Sequence, residues 1–581
     1  MKISHLALPG IVLTALALRL YGIDFGLPHL YHADEPVIVN HAMAYGAGDL
    51  NPHFFRIPPL VSYLLSLLYG FFFLAGKAVS LFDSVRDFEV AFYRDPSAFY
   101  FLARTVFGAL LGTLTVVVLY WTLTAFGRRV ALTGAFFMAV CFLHVRDSHY
   151  IYVDIPLVFV LTVAFGVFFR LAQAREHPGE SLRLHLTAGA LIGLAAAVKY
   201  NGVFLVLPYL VATFVPERAG AEGAREGRGS AVQTLRCCAL AALAAFLTYA
   251  VLNPYSLIDF RFFLAEMGSE AAAHPGTGWL HHFRYSLAGG IGWPLLGAAC
   301  CGLIRSFFVR DVRRWAMAAF LLGYYVLIAR FGQHPERYVL PLLPCVLFFA
   351  ADFAAWATGR LTPGSWALVL ASAVLSAPTL VSSVLVVRLA VRADTRTQAL
   401  DWIKTNVPSS SAIALDTAMF MPRLEFVRDQ LAVKRHEAAH GASFSSARLR
   451  KLEYQLSRPD AARRGYSLFF MSKNSAAEAP LYAKPAVPYD WAKLRENGAQ
   501  FAVLAKTDPE AWQSPFFLAL DAHAVRVTGW NPYRNQKIAF SMDPYAVTGL
   551  PFLLADLWAR DDPGPPLEIY RLSRQSHGEE T

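Results

Sequence analysis

Residues 60–75 read LVSYLLSLLYGFFFLA, an uncharged apolar run somewhat shorter than the roughly 20 residues a bilayer-crossing helix needs. Whether this run crosses a membrane or lies along it sets the side on which every later loop emerges. If it crosses, Arg128 and Arg129, Arg170 and Arg175, and the cluster from Arg305 to Arg314 all fall outside. If it lies in the interface or re-enters, those clusters face the cytoplasm with Lys2, Arg218, Arg225, Arg228 and Arg236. Cytoplasmic loops carry the excess of Lys and Arg, so the run reads as interfacial.

Outward from it, apolar runs at 6–22, 101–126, 130–146, 155–172, 186–198, 203–215, 237–253, 286–305, 315–330, 338–356 and 365–389 make eleven expected spans. The runs at 186–198 and 203–215 are short for a bilayer and flank Lys199-Tyr200-Asn201-Gly202, the pattern of a broken helix pair lining a cavity. Met1 to Tyr21 reads as an uncleaved first span, since no small-residue cleavage site precedes a polar start; a cleaved signal is the alternative. The composition agrees with a membrane chain: of 581 residues 56% are hydrophobic and only 16% charged, with mean hydropathy +0.40.

The formal charge of +10 sits in short clusters beside apolar runs, which suits topology signals and not a nucleic-acid partner. All six cysteines lie inside apolar runs, so no disulfide framework or paired-cysteine metal site is indicated. Glu217–Ser230, rich in Gly, Ala, Arg and Glu, reads as a flexible cytoplasmic linker. From Thr395 the pattern changes to a helix at 397–406 and strand-like runs at 412–415, 466–471 and 501–504, which predicts a small α/β domain. The expected organisation is a polytopic α-helical membrane domain over 1–391, with an outer loop at 23–100 carrying interfacial helices, and an extracytoplasmic α/β domain over 392–581. No solenoid-type repeat is visible.

With this topology the chemistry-bearing residues gather on the outer face. His32-Ala33-Asp34-Glu35-Pro36 sets two carboxylates at the membrane surface, one of which suits a general base for a hydroxyl; the plain alternative is a helix start. Asp147 through Asp154-Ile155-Pro156 brings a second acid, Asp154, into the mouth of a span, where an unpaired carboxylate is costly; a helix cap is again the alternative. Lys199 and His334-Pro335-Glu336-Arg337-Tyr338 place cations outside, against the charge bias. A phosphate explains them, as Arg offers forked donors and Lys a compact charge, while headgroup snorkelling is the competing account.

The order of these pieces resembles the C-type glycosyltransferase fold, in particular the protein O-mannosyltransferase and aminoarabinose-transferase-like superfamily. The matching pieces are His32 to Pro36, Arg56-Ile57-Pro58-Pro59-Leu60, Ser148 through Asp154-Ile155-Pro156-Leu157, Gly193-Leu194-Ala195 with Lys199, and Arg337-Tyr338 leading into Leu340-Pro341-Leu342-Leu343-Pro344. The likeness runs over about 6–350, and the opening of the tail, Gln398 to Ile403 with Asn406-Val407-Pro408, is similar to bacterial members.

The resemblance implies an inverting glycosyltransferase that takes a sugar from a polyprenyl-phosphate donor to an extracytoplasmic hydroxyl of a protein, lipid or glycan. It implies a bacterial inner-membrane setting, with Asp34 at the catalytic acidic position beside Glu35, and Asp154 as the second acid. Lys199, Arg337, Tyr338 and His334 are then the candidate donor-phosphate residues. Arg56 and His149, possible acceptor or loop residues, depart from the pattern. His149 stands where many relatives carry Arg, and Arg56 near a Glu-Lys pair of some bacterial relatives. Relatives differ in metal use, so a divalent metal stays open. The rival class is a transporter or lipid-linked-sugar flippase, which calls for inverted halves that the sequence does not display.

Overall fold

The computed structural model describes residues 7–32, 34–174, 178–215, 231–272, 277–332, 335–361, 365–416, 421–440, 446–458, 465–472, 485–505, 513–535 and 554–572. The expected linker Glu217–Ser230, and His334, lie outside the described residues.

Each of the eleven apolar runs is helical, whole or broken. Among the described residues eight helices are long and apolar enough to cross a membrane, or nine if one bent pair counts as a single span. The chain is an integral membrane protein. The helices follow from uninterrupted apolar sequence with polar punctuation, and their packed sides share one continuous core that includes Phe137, Leu157, Phe165, Phe320 and Leu347.

Three runs differ from expectation in shape. The run at 186–198 belongs to a longer helix, Pro178–Val198, of 21 residues. Polar Glu180, Arg183 and His185 continue it beyond the apolar stretch, because a helix end needs no apolar side chains once it leaves the bilayer. Only the second member of the broken pair is short: Tyr200–Leu205 is a tight 3-10 turn continued by Val206–Phe214. The run at 130–146 breaks at Cys141, between Arg128–Val140 and Phe142–Asp147. The run at 286–305 bends by 117° between Ile291 and Trp293, around Gly292 and ahead of Pro294.

The Leu60–Ala78 helix is 19 residues long, so length and hydropathy alone admit it as a crossing helix. One side packs on the Glu35–Ala44 helix and its following turn, where Tyr45 and Ser62 share a hydrogen bond of 3.1 Å. The opposite side leaves Leu64, Leu67, Phe71 and Leu74 exposed, an apolar stripe at helical spacing that asks for lipid. Phe72, Phe82, Phe88 and Phe99 interlock edge to face beneath it and tie the Val85–Arg94 helix to this loop.

The C-terminal part is the α/β domain expected. Its strands are β1 (Ala412–Leu415), β2 (Ser467–Ser472), β3 (Ala486–Pro488), β4 (Phe501–Ala505), β5 (Ala524–Trp530) and β6 (Leu567–Leu572). They lie in the order β3-β2-β1-β4-β6-β5. The first four run parallel, while β6 pairs antiparallel with β4 and with β5. Alternate residues feed two cores: Ile413, Leu415 and Val503 pack with the Thr395–Asn406 helix, and Ala414, Ala502 and Leu504 pack on the other face. Strands β3, β5 and β6 escape the sequence reading because their runs are short or carry charge, as Arg526, Glu568 and Arg571 do.

Candidate active site

Four separate segments of the chain converge, around Asp34, Asp154, Lys199 and Arg337. His32 begins the arrangement: its Nδ1 accepts from the backbone N–H of Asp34 at 3.2 Å and of Glu35 at 3.3 Å, capping the Glu35–Ala44 helix. That role needs an unprotonated ring, and burial, outweighing the nearby carboxylates, lowers the His32 pKa to about 4. Because His32 caps the helix, Asp34 makes no side-chain cap and its carboxylate is directed elsewhere.

Asp34 forms an ion pair with Arg337, whose Nε also lies 3.9 Å from Asp154 Oδ2. Lys199 Nζ donates to the other oxygen of Asp154 at 2.6 Å. Arg337 stacks over the Tyr152 ring at 4.7 Å, and Lys199 lies 5.3 Å from the centre of the Tyr338 ring. The capping alternative is not realised for Asp154 either, since it is the first residue of the Asp154–Gln173 helix and its side chain goes to Lys199. Asp34, Asp154, Lys199, Arg337 and Tyr338 are thus brought together from four separate parts of the chain. Within this cluster Arg337 Nε and Asp154 Oδ2, 3.9 Å apart, are buried and make no hydrogen bond.

The electrostatics are those of alternating charge. Burial raises the Asp34 pKa, but Arg337 foremost, with His32 and Lys199, outweighs it and holds the carboxyl below its ordinary range. Asp34 and Arg337 are the more open members, 25% and 21% exposed, against 3% for Asp154.

The remaining candidates stand apart. Glu35 is fully buried and bound by Arg104 through both oxygens, at 2.8 Å and 2.7 Å; Arg104 also donates to the carbonyls of Ile23 and Phe25, and Glu35 accepts from Ile151 N–H at 3.0 Å. Such a carboxylate ties the segment before the Glu35–Ala44 helix to the loop at Ile151 and is closed to a reactant. His149 is buried, its ring nitrogens 2.8 Å and 3.1 Å from the carbonyl oxygens of Val145 and Tyr21. Arg56 is half-exposed and lies 3.9 Å from Glu266, in the Phe260–Ala272 helix. Neither extends the charge cluster.

Sequence reasoning missed Arg104 and Arg146, and quoted Asp147 and Glu336 only as members of their motifs. Arg146 bridges Asp147 at 2.8 Å and Glu336 at 2.5 Å, joining the loop before Asp154 to the turn that carries Arg337. The available signal was a charge within or at the end of an apolar run, since burying one there without a partner is costly. The π-type winding at Arg104–Leu110 and Gly108 complete the support. A Cβ at Gly108 would run into the carbonyl oxygen of Ser148, so glycine is what lets this helix approach the loop before Asp154.

Among the described residues no group of three or more His, Cys, Asp and Glu side chains forms a metal-binding set. Both acids at the site already face cations, so the residues present do not fit a divalent metal, and no step below passes through one.

The sequence model of the dolichyl-phosphate-mannose-protein mannosyltransferase family matches residues 13–216. The matched stretch is similar to that family's domain and takes in 204 of the 581 residues. It contains Asp34, Asp154 and Lys199 but stops short of Arg337. Dolichyl-phosphate-mannose–protein mannosyltransferase 1 of Saccharomyces cerevisiae is 34% identical over 125 residues, which is 21% of this chain and 15% of the yeast protein. The chain therefore matches only a small part of that relative's length.

Two solved structures are similar to this chain at larger coverage. ArnT from Cupriavidus metallidurans, bound to undecaprenyl phosphate, aligns at TM-score 0.45 and 15% identity over 90% of this chain and 96% of its own. The Archaeoglobus fulgidus oligosaccharyltransferase tethered to an acceptor peptide aligns at TM-score 0.47 and 12% identity, over 92% of this chain and 73% of its own.

Proposed function

We propose that this chain is an inverting glycosyltransferase that moves a sugar from a polyprenyl-phosphate donor to a hydroxyl on the outer side of the membrane. The observation that carries the reading is the alternation Asp34, Arg337, Asp154, Lys199 in one cluster, in which Arg337 Nε and Asp154 Oδ2 are left without a hydrogen bond. The family match over residues 13–216 supports the same reading and does not favour a transporter.

In this reading Arg337 and Lys199 receive the donor phosphate, and Asp34 faces the acceptor. The acceptor oxygen attacks the anomeric carbon as the bond from that carbon to the phosphate oxygen breaks, inverting the configuration in one displacement. The hydroxyl proton passes to Asp34, and the departing polyprenyl phosphate keeps the bonding electrons. Arg337 supplies forked donors and Lys199 a point charge where negative charge grows on the phosphate. Donor binding draws Arg337 towards phosphate and loosens its hold on Asp34, which makes the carboxylate a stronger base when the sugar is in place.

The orientation follows from the charge count, with the first outer loop, the site and the C-terminal domain outside and the Leu60–Ala78 helix in the interface. The experiment is to incubate purified protein with a polyprenyl-phosphate sugar labelled in the sugar, plus an extract of envelope lipids, glycans and proteins. Label appearing in an acceptor, with free polyprenyl phosphate in equal amount and neither product formed by Asp34→Asn, is the expected result. Label that only changes its side of a sealed vesicle would overturn the reading in favour of transport.

A further inference from the structure

The C-terminal domain meets the turn before Asp34 at a buried contact. Asp394 caps the Thr395–Asn406 helix by accepting from Arg396 N–H at 2.9 Å, and the same carboxylate takes the Arg396 guanidinium through Nε and Nη2, each at 2.8 Å. Held this way, the guanidinium lies 3.8 Å from the centre of the Tyr31 ring. The Tyr31 hydroxyl shares a 2.8 Å hydrogen bond with Thr397 Oγ1 on the same helix. Tyr31, Asp394 and Arg396 are all buried.

Tyr31 directly precedes His32, whose ring caps the helix after Asp34 and rests on Tyr150 at 4.2 Å. The turn before the helix is therefore fixed at successive residues by different parts of the molecule. Arg396 and Thr397 hold Tyr31, Tyr150 backs His32, Arg337 holds Asp34, and Arg104 holds Glu35. The C-terminal domain supplies the first of these.

We propose that Arg396 is a positioning residue through which the C-terminal domain sets Asp34, acting by way of Tyr31 and His32. This rests on the reading of Asp34 as the base. The physical reason is that a stacked guanidinium already fixed by a bidentate carboxylate has lost its freedom before it meets the ring, so it holds Tyr31 at little further entropic cost. A base displaced by about 1 Å costs up to about a hundredfold in rate, so a contact that only fixes the turn still affects the chemistry. Gly564 provides an independent handle. Its φ is +95°, and a Cβ there would run into Thr395 Oγ1 and Asp394 Oδ1, disturbing the clasp without altering its residues.

A second contact between the domains serves as the control. Arg450 pairs with Glu89 at 2.6 Å, in the Val85–Arg94 helix of the first outer loop. If the C-terminal domain merely needed to be docked, both contacts would count equally.

The test measures backbone hydrogen exchange over residues 31–44 and initial transfer rates for wild type, Arg396→Ala, Arg396→Lys, Gly564→Ala and Arg450→Ala, each purified as folded protein. Arg396→Ala and Gly564→Ala are expected to speed exchange at Asp34 and Glu35. In both, kcat should fall by about ten- to a hundredfold with donor KM little changed. Arg396→Lys should fall between them and wild type, and Arg450→Ala should match wild type. Unchanged exchange in Arg396→Ala and Gly564→Ala, or an equal loss of rate in Arg450→Ala, would overturn the positioning role. A wild type that transfers nothing would remove the base assignment and with it the catalytic consequence. In that event the exchange data decide whether the clasp orders the turn.

Discussion

Asp34 and Arg337 stand 303 residues apart in sequence and meet in one ion pair. Asp34 comes from the first loop and Arg337 from the turn that opens the Glu336–Leu361 segment. Since Arg337 also approaches Asp154, it links the proposed base to the proposed phosphate site.

Removing Arg337 should move the acid limb of the pH profile. In wild type, burial pushes Asp34 up but Arg337 and His32 hold it below the ordinary carboxylate range, so it is ionised at neutral pH. Arg337→Ala leaves the burial and deletes the largest opposing charge, so the limb is expected at higher pH. The pH dependence of kcat/KM, measured at limiting donor and so reporting the free enzyme, reads this; a limb that stays or moves to lower pH contradicts the pairing.

Asp34→Asn is expected to fold and to lose about a hundredfold or more in transfer rate, because the amide keeps the shape but cannot accept the proton. Near-normal turnover at saturating donor would withdraw the base assignment.

Arg337→Lys should weaken donor use less than Arg337→Ala but still clearly, since an ammonium keeps the charge and loses the fork that holds two phosphate oxygens. Initial rates against donor concentration for both, with Lys199→Ala alongside, decide it. If Arg337 only snorkels to headgroups, the lysine variant should match wild type.

Glu35→Gln or Arg104→Met should act on stability, because either leaves one ion of a fully buried pair uncompensated. The expected cost is about 3–5 kcal/mol, read as a lower thermal transition in detergent. The double variant should lose less than the two singles combined. A folded Glu35→Gln with wild-type stability and no activity would instead return Glu35 to the chemistry.

Acidification should loosen the turn before it protonates Asp34. His32 has its folded pKa lowered to about 4 from an ordinary value near 6.5, so its contribution to stability is present above about pH 6.5 and is lost as pH falls towards 4. His32→Asn, whose side-chain carbonyl accepts a cap without titrating, should flatten the unfolding midpoint against pH across that window. A profile identical to wild type would show that the ring is not the group titrating.

The orientation has its own test. A cysteine replacing Ser84 should react with a membrane-impermeant thiol reagent from the outer side only. Reaction only from the cytoplasmic side means that the Leu60–Ala78 helix crosses the bilayer.

Much of this was legible in the sequence, because membrane helices are written locally. Runs of apolar residues give the helices, and the distribution of Arg gives the expected orientation without any tertiary contact. The same holds for the helix and parallel strands that open the C-terminal domain, whose alternation of Ile413, Ala414 and Leu415 is a local pattern. The sequence also named Asp34, Asp154, Lys199 and Arg337, since a charge at the mouth of an apolar run must have a partner or a purpose.

Which partner each charge takes was decided only by the tertiary structure. Asp34 and Glu35 are neighbours of the same type, yet one pairs with Arg337 at the open site and the other is sealed against Arg104. Nothing in adjacent sequence separates them, because the difference lies in which helix each carboxylate faces once the turn is built. Arg396 on Tyr31 is a contact of the same kind, made across 365 residues, or one fewer than the 366 that separate Tyr31 from its hydrogen-bond partner Thr397. Local pattern records how apolar surface is buried, whereas a charge is stabilised by whatever lies within a few ångströms, and only the packed chain brings that neighbour there.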